Sequence, residues 1–293
     1  MLRHTCLLLR RRALRPLSTN RDLTLVDQKE GIRTVTLNNP SKYNGWTDPM
    51  LRSMMGRFEE ATHDADCKAL ILTGSGAYYC AGVDLSNTLK PMWPKQLHAT
   101  IYTFNKKVFD TFLNFPKPLC VAVNGPAIGA SVTTATLADC VVASTNATFS
   151  TPFARLGVPP EGCSSVHFER LMGGVNAERM LGAEGWAPAA AEAAAAGLID
   201  ACVEPAELLD AAHDLLLTRL GTDYVKAHRG HGDTAALLQV NDRESRDLAD
   251  AFLAVPFLRA QADFLASKGK TQQALVFEAL IATRPAWSLM LRT

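Results

Sequence analysis

Short apolar runs alternate with amphipathic stretches through the first half of the chain, and this alternation restricts the fold more than any other feature. LTLVDQ (23–28) and IRTVTLN (32–38) are rich in β-branched residues, alternate in polarity and are separated by KEG, which predicts a hairpin. An amphipathic helix is predicted after Thr47, and the apolar runs at 68–73 and 118–125 predict buried strands. Strands and helices in this order predict an α/β fold with right-handed crossovers.

The second half of the chain is predicted to be mainly helical. Residues 127–139 are rich in small side chains and predict a buried helix, and a later alanine-rich segment predicts a short helix that ends at Gly197. A stretch rich in Gly, His and Asp, 221–234, is predicted to be a linker. It leads into a helical segment at 241–269 that is broken near Pro256.

The N-terminal residues differ in composition from the rest of the chain. Residues 1–21 carry six arginines, and the first acidic residue is Asp22. An arginine-rich, acid-free leader that can form an amphipathic helix is typical of a mitochondrial transit peptide. We therefore expect residues 1–20 to direct the protein to the mitochondrial matrix. A peroxisomal location is the alternative, although the C-terminus lacks an S-K-L ending.

Composition excludes several classes of function. The chain has 293 residues, of which 47% are hydrophobic and 20% charged, as in ordinary globular proteins. Its net charge of +1 gives no electrostatic basis for nucleic-acid binding. No apolar run approaches the roughly 20 residues of a membrane-spanning helix, so we expect no membrane span.

The cysteine and histidine patterns do not predict a metal site. The seven cysteines are scattered without a C-x-x-C pair, which favours a reducing compartment over a disulfide framework. His228 and His231 lie close together in HRGH, but no cysteine or acidic cluster accompanies them. Cys80 and Cys163 lack an evident histidine partner, so we interpret both as packing residues.

Two glycine-containing loops each follow a predicted strand and could expose peptide N–H groups. CAGVDL follows the strand at 68–73, and NGPAIGAS follows the strand at 118–123. Peptide N–H groups in such loops are left without strand partners and can point at an anion or a carbonyl oxygen. Two converging donors form an oxyanion hole, whereas the simpler interpretation is a pair of tight loops. GSGAYYCAGVDL contains G-x-G but not the full dinucleotide-binding fingerprint.

The segment PPEGCSS (159–165) places a single carboxylate, Glu161, between two prolines and a glycine. Proline followed by a charged residue and glycine is ordinary turn chemistry. The sequence alone leaves two interpretations open, a surface turn and a base held rigidly in a pocket. EGCSS is not G-x-S-x-G, which argues against Ser164 as a nucleophile.

Together these motifs resemble the crotonase (enoyl-CoA hydratase/isomerase) superfamily, and most closely its Δ3,Δ2-enoyl-CoA isomerases. The resemblance covers residues 22–205 and depends on LNNPSKYNGWT, ALILTGSGAYYCAGVDL, KPLCVAVNGPAIGAS, DCVVASTNATFSTPFARLGVPPEGCSS and AAAAGLIDACVEP. It implies a spiral of ββα repeats over 21–205 as the acyl-CoA-binding core. A C-terminal helical segment at 206–270 would help form a homotrimer, and no role is implied for 271–293.

The resemblance also implies roles for individual residues. The N–H groups of Val83 and Ala130 correspond to the two oxyanion donors, and Glu161 corresponds to the catalytic base. Lys42, beside the first helix, is a candidate for contact with CoA. Residues implied to line the acyl-CoA site are Ala81, Gly82, Val83, Asp84, Leu85, Gly129 and Phe153.

The absence of two carboxylates restricts the reactions that the resemblance implies. Hydratases of the family hold a water between two glutamates, and those positions are Thr133 and Phe153 here. Dienoyl-CoA isomerases need an acid at the second of these positions as well as one at Glu161. A single carboxylate fits the monoenoyl isomerases, in which one base handles both proton transfers.

The resemblance therefore implies a Δ3,Δ2-enoyl-CoA isomerase of fatty-acid β-oxidation, an enzyme that needs no cofactor because CoA arrives with the substrate. An apolar flank of Phe153, Leu156 and Val158 is expected to desolvate the base and to raise its pKa. The alternatives are a dienoyl-CoA isomerase, a weak hydratase or thioester hydrolase, and a non-catalytic protein of the same fold.

Overall fold

The computed structural model describes residues 23–84, 92–220, 224–226, 228–230 and 232–291. The predicted transit peptide (1–20), Leu85 and His231 lie outside the described residues. The described residues form eight β-strands and ten α-helices.

The strands are β1 (Thr24–Lys29), β2 (Ile32–Leu37), β3 (Ala69–Gly74), β4 (Leu119–Val123), β5 (Ala127–Ile128), β6 (Cys140–Ser144), β7 (Phe149–Ser150) and β8 (Ala201–Val203). The helices are α1 (Asp48–His63), α2 (Pro94–Leu113), α3 (Ala130–Thr136), α4 (Phe153–Leu156), α5 (Ser164–Leu181), α6 (Ala190–Ala196), α7 (Leu208–Leu217), α8 (Thr234–Phe252), α9 (Val255–Ser267) and α10 (Thr271–Trp287). Short 3₁₀ turns occupy Pro40–Lys42, Pro205–Glu207, His228–Gly230 and Ser288–Leu291.

Six strands form one sheet in the order β1-β2-β3-β4-β6-β8. Strands β1 and β2 pair antiparallel as the predicted hairpin, and every later pair in this sheet is parallel. A second, two-stranded parallel sheet joins β5 to β7. Because parallel strands end at the same edge, the loops that leave β3 and β4 meet at the carboxyl edge of the main sheet. The α/β prediction is confirmed.

Both faces of the central strands are buried. Leu70, Leu72 and Val121 point into a large cluster shared with α1, α2, α3 and α5. Ile71 and Cys120, which alternate with them, point to the opposite face and pack against α7. This period of two explains why β3 and β4 are apolar throughout, since side chains on neither face reach water.

Most of the predicted helices are confirmed, and one prediction is partly wrong. Thr47 caps α1 by accepting the Met50 N–H at 3.3 Å, and the alanine-rich helix α6 ends at Gly197 as predicted. The segment 127–139 was predicted to be helical throughout, but its first residues form β5 and pair with β7. Helix α3 therefore begins only at Ala130.

The predicted linker at 221–234 is wrong for its described residues. The His228 side chain is fully buried and hydrogen-bonds to the Leu137 carbonyl (3.1 Å) and the Thr234 hydroxyl (2.9 Å). These partners satisfy both ring nitrogens of a histidine that lies in the core. Among the described residues, no group of three or more His, Cys, Asp or Glu side chains could hold a metal ion.

The C-terminal helices extend further than predicted. The break near Pro256 falls between α8 and α9, with Pro256 in the first turn of α9, and α10 covers most of the previously unassigned residues. By length and composition alone, Thr271–Leu291 could cross a membrane. A single helix that passes this test is weak evidence and does not establish a span. Phe277 and Ile281 of this helix pack against the cluster that contains Phe257.

Candidate functional site

Hydrogen bonds hold the loops after β3 and β4 side by side. The Cys80 N–H donates to the Pro126 carbonyl at 3.2 Å, and the Ile128 N–H donates to the Cys80 carbonyl at 3.0 Å. The Ser131 hydroxyl accepts the Ile128 N–H at 2.9 Å and lies 3.3 Å from the Cys80 carbonyl. The two loops thus form one unit at the carboxyl edge of the sheet.

Gly82 allows the closest approach between these loops. Its φ is +83°, and a Cβ placed there would lie 2.7 Å from the Ile128 carbonyl oxygen. Any larger residue would push that carbonyl away and strain its own backbone. The glycine is therefore required for the loops to stay in contact.

The N–H groups of Val83 and Ala130 follow these contacts directly. Trp46 pairs with the residues on either side of Val83, donating to the Gly82 carbonyl (2.8 Å) and accepting the Asp84 N–H (3.0 Å). Ala130 is the first residue of α3, where an N–H has no acceptor within the helix. In the part of the chain that the structure describes, neither N–H has a hydrogen-bond partner, so both can donate to an external oxygen.

The other predicted lining residues belong to the same two loops or lie next to them. The Ala81 N–H donates to the Tyr43 carbonyl at 2.9 Å, which sets the exposed Lys42 beside the 81–84 loop. Gly129 donates its N–H to the Ser150 carbonyl at 2.7 Å, so the second loop is also tied to β7.

Glu161 is a buried carboxylate that has a neutral hydrogen-bond partner. Its side chain is 9% exposed, and the Asn105 amide of α2 donates to its Oε2 at 2.8 Å. Among the described residues, no cation forms an ion pair with it. Burial, followed by the nearby charge of Glu244, raises the pKa of Glu161 from 4.5 to about 8.

The turn after Glu161 brings it next to α3. Gly162 has a φ of +67°, and a Cβ there would clash with the Phe109 ring and lie 2.7 Å from the Thr133 hydroxyl. Thr133 lies three residues after Ala130, which is about 4.5 Å along the helix axis. The turn that follows Glu161 therefore packs against the first turn of the helix that begins at Ala130.

A second buried carboxylate, Glu244 of α8, contacts the same turn. It is 3% exposed and accepts the N–H groups of Cys163 (2.6 Å) and Ser165 (3.1 Å). Burial raises its pKa from 4.5 to about 7. Sequence reasoning missed both Glu244 and Asn105. The available signal was the same for each, a polar residue within the buried stripe of an amphipathic helix.

The predicted apolar flank is present in part. Phe153 is buried, and its carbonyl accepts the Val158 N–H at 3.1 Å, which closes the loop that leads to Glu161. Val158 packs with the cluster of C-terminal helices, whereas Leu156 is half-buried. The side chain nearest the turn is instead Phe109 of α2, which the sequence did not reveal.

The nearby nucleophiles are occupied or inert. The Ser164 hydroxyl donates to the Glu161 carbonyl at 2.7 Å, so it serves the turn. Cys80 and Cys163 are buried, and burial raises the pKa of the Cys80 thiol to about 12. Both cysteines are packing residues, as predicted, because a thiol with so high a pKa gives little thiolate.

This arrangement suits proton transfer next to a carbonyl group. Two peptide N–H groups can bind an oxygen that gains negative charge, and a water-shielded carboxylate with a raised pKa can take up and return a proton. Thr133 and Phe153 supply no second acid. The three elements meet at the carboxyl edge of a parallel sheet, where α/β proteins commonly bind ligands.

Solved structures show the same fold. An enoyl-CoA hydratase/isomerase from Pseudoalteromonas atlantica superposes with a TM-score of 0.72 at 24% identity, covering 84% of this chain and 97% of that one. At this identity the likeness supports the fold alone. The predicted crotonase-type architecture is confirmed.

Two curated relatives resemble the chain in sequence. Enoyl-CoA delta isomerase 2 of Rattus norvegicus is 42% identical over 158 residues, 54% of this chain and 40% of the relative. The peroxisomal enoyl-CoA delta isomerase 3 of Mus musculus is 39% identical over 158 residues, 54% of this chain and 50% of the relative. The matched segment thus spans half or less of these proteins.

A family model gives the broader result. The model described as enoyl-CoA hydratase/isomerase matches residues 27–229, which include both glycine loops and Glu161. That range is more than half of the chain, and it agrees with the fold comparison and with the two isomerase relatives. The chain belongs to the enoyl-CoA hydratase/isomerase family.

Proposed function

We propose that the protein is a Δ3,Δ2-enoyl-CoA isomerase that converts 3-enoyl-CoA to 2-trans-enoyl-CoA in fatty-acid β-oxidation. One observation carries the proposal above all. Glu161 is a buried acid next to the Ala130 loop, while Thr133 and Phe153 occupy the positions where a hydratase or dienoyl isomerase needs further acids. The two delta isomerase relatives support the same reaction class.

In the proposed reaction, Glu161 removes a proton from C2 of the acyl chain. The electron pair moves into a dienolate, and the negative charge that develops on the thioester oxygen is bound by the N–H groups of Val83 and Ala130. Loss of one such donor typically costs about 10²–10³ in rate. Glu161 then returns its proton to C4, so the double bond moves into conjugation and the carboxylate is regenerated.

The raised pKa of Glu161 suits both halves of this cycle. A carboxylic acid with an ordinary pKa holds a proton weakly, whereas a pKa of about 8 allows the proton to be kept until it reaches C4. The cost is that about one molecule in ten has the ionised base at pH 7. We therefore expect kcat/KM to rise with pH up to about 8.

The acyl-CoA site is proposed to use the same loops. The residues proposed to line it are Ala81, Gly82, Asp84, Gly129 and Phe153. Leu85 is proposed to line it as well, on the basis of the sequence motif alone. Lys42 is proposed to contact CoA because it is exposed and lies beside the 81–84 loop. The substrate carries the CoA group, so no further cofactor is proposed.

A panel of thioesters tests the reaction. Wild-type protein and Glu161→Gln are assayed with 3-enoyl-, 3,5-dienoyl- and 2-enoyl-CoA, and we expect turnover of the first substrate by the wild type alone. The variant should lose about 10²–10⁴ in rate, the usual contribution of a general base. Turnover of the dienoyl substrate alone would favour a dienoyl isomerase, hydration of 2-enoyl-CoA a hydratase, and no turnover of any thioester a non-catalytic role.

We also propose a homotrimer assembled through the C-terminal helices. Apolar side chains on α9 and α10 are exposed in the single chain, among them Phe264, Leu275 and Val276. Contact between copies would cover them. Sedimentation velocity should give the mass of a trimer for the wild type and of a monomer for Leu275→Glu, and a monomeric wild type would contradict the proposal.

Residues 1–20 are proposed to direct import into the mitochondrial matrix. The support is the composition of this leader, while the mouse relative is named as a peroxisomal enzyme. Imaging of the full chain and of a chain without residues 2–20, each with a C-terminal fluorescent tag, decides between the two organelles. Peroxisomal signal from the full chain would contradict matrix import.

A further inference from the structure

Glu244 connects two helices that are far apart in sequence. It lies on the buried side of α8, in line with Leu237, Asn241 and Leu248. Helix α5 has no capping side chain of its own, because Cys163 at its N-cap makes no side-chain hydrogen bond to the first turn. Both carboxylate oxygens of Glu244 fill this role by accepting N–H groups at the start of α5.

The turn that Glu244 binds is conformationally costly. Gly162 and Cys163 are both left-handed, with φ of +67° and +65°. A non-glycine residue in this region costs about 1–2 kcal/mol, so the conformation persists only if the surroundings hold it. The 2.6 Å hydrogen bond from the Cys163 N–H to Glu244 supplies such a hold two residues from the base.

The hydrogen bonds also decide which of the two acids reacts. Both oxygens of Glu244 accept peptide N–H groups, whereas Glu161 has, among the residues that the structure describes, a single side-chain donor, Asn105, on one oxygen. The free oxygen of Glu161 is the one available for proton transfer. Glu244 therefore does not compete as a base, although it is also buried.

The surroundings contain little charge that could mask the interaction between the two acids. Helix α5 contributes the Ser165 hydroxyl and the buried Cys163 thiol. Groups from α2 and α8 that face the pair are Asn105, Lys106, Asp110, Asn241 and Arg243. Lys106 is engaged by Asp110, and Arg243 is an exposed residue whose guanidinium lies 3.5 Å from the Ser165 hydroxyl.

We propose that Glu244 is a positioning residue for Glu161, holding the turn that aims the base and placing a second buried carboxylate against that turn. This inference depends on the proposed isomerase function for its catalytic meaning. Its physical content, the coupling of two buried carboxylates across the start of α5, does not. The two can therefore be tested separately.

The first experiment is the pH dependence of kcat/KM for 3-enoyl-CoA in three variants. Glu244→Gln removes the charge and turns one acceptor into a donor, so the acid limb should move down by about one pH unit and kcat should fall about tenfold. Glu244→Asp keeps the charge, so its limb should stay in place while kcat falls. Asp247→Asn removes an exposed charge from the same helix and should change neither quantity.

A purely structural role for Glu244 predicts a different result. Glu244→Gln would then lower kcat and the melting temperature but leave the acid limb where it is in the wild type. That outcome overturns the proposal. A limb that moves equally in Asp247→Asn overturns it as well, because the shift would then reflect net charge alone.

The second experiment needs no turnover. Coupling is reciprocal, so Glu161→Gln should lower the titration midpoint of Glu244 as much as loss of the Glu244 charge lowers that of Glu161. Infrared difference spectra with ¹³C-labelled glutamate separate glutamate from aspartate bands, and comparison of wild type with Glu161→Gln and Glu244→Gln assigns the band of each residue. A reciprocal shift without isomerase activity supports the coupling and refutes the proposed function. Isomerase activity without a reciprocal shift of the titration midpoints supports the proposed function and refutes the coupling.

Discussion

The molecule buries carboxylates at both edges of its main sheet, and the two edges treat them in opposite ways. At the amino edge, Asp139 and Asp200 precede strands β6 and β8 and have cationic partners. At the carboxyl edge, Glu161 and Glu244 have neutral donors, and no cation pairs with either within the described parts of the chain. Asp139, Glu161 and Glu244 are buried, whereas Asp200 is exposed. Among the three buried acids, the partner decides whether the carboxylate stabilises the fold or stays poised for chemistry.

The amino edge pairs its acids with cations, although within the described residues the Lys226 Nζ and Arg229 Nε atoms make no hydrogen bond. Asp139 accepts the Leu119 N–H (2.9 Å) and the Tyr224 hydroxyl (2.9 Å) and lies 3.5 Å from the Lys226 ammonium. Asp200 accepts the Val141 N–H at 2.7 Å and lies 3.2 Å from Arg229. Burial lowers the pKa of Lys226, and the charge of Asp139 opposes that shift.

The largest effect is expected where a cationic pair is broken. Asp139→Asn would leave the Lys226 ammonium buried without its counter-charge, which typically costs 3–5 kcal/mol of unfolding free energy. Urea unfolding at pH 7 measures this loss, with the exposed Asp247→Asn as the matched control. The remaining folded molecules should keep their kcat. Equal stability of the two variants would contradict the comparison.

At the carboxyl edge, removal of an acid should raise the unfolding free energy instead of lowering it. The folded-state pKa of Glu161 is about 8 and its ordinary value 4.5, so the folded protein holds this proton more tightly than the unfolded chain. Stability is therefore lost as pH rises between these values. Glu161→Gln escapes the penalty and should be more stable than wild type at pH 8, on the order of a few kcal/mol.

Melting temperatures of Glu161→Gln and wild type at pH 4.5 and pH 8.5 check this prediction. The gain should be present at the higher pH and nearly absent at the lower one. If the difference between variant and wild type is the same at both pH values, or if the variant is less stable than wild type at pH 8.5, then Glu161 resembles Asp139 and the contrast between the two edges fails.

Two glycines allow the effect of backbone strain on stability to be distinguished from an effect on catalysis. A Cβ at Gly82 would lie 2.7 Å from the Ile128 carbonyl, and a Cβ at Gly197, near the amino edge, would lie 2.6 Å from the Leu171 carbonyl. Both have positive φ, so alanine at either should cost about 1–3 kcal/mol of stability. Only Gly82→Ala should also lower kcat, by about 10²-fold, because it moves the Val83 N–H. Similar kcat values for both variants would count against Val83 as a donor.

The smallest effect concerns the neutral partner of the base. Asn105→Ala removes the donor that favours ionised Glu161, so the acid limb of kcat/KM should move to higher pH. At pH 7 the rate should fall about tenfold, as expected for a shift of one unit. An unchanged limb would show that the Asn105 amide does not act on the carboxylate.

Local sequence patterns predicted most of the fold. The apolar runs of β3 and β4, the Thr47 cap and the alanine-rich helix ending at Gly197 each contain their own signal, and each prediction was confirmed. The segment 221–234 was misread because its polar composition suggested solvent exposure. Its partners, including the Asp139 carboxylate, lie about 90 residues earlier in the chain and cannot be seen locally.

The residues of the candidate site also fall into two groups, those with a local sequence signal and those without one. Val83, Ala130 and Glu161 stand in motifs that a resemblance can locate. Asn105 and Glu244 reach the base from helices whose pattern shows only a polar residue in a buried stripe. Such a residue signals a buried hydrogen bond, but only the packing of α2 and α8 reveals its partner.

Helix α3 joins the two edges, since it begins at Ala130 and the chain reaches Asp139 three residues after its end. All seven of its residues are buried, and the hydroxyls of Thr133, Thr134 and Thr136 bond to carbonyls of the helix itself. Close packing leaves such a rod no room to bend or slide on its own. The Ala130 N–H therefore belongs to the same cooperative unit as the salt-bridged edge, and heat should abolish activity and melt the core in a single transition.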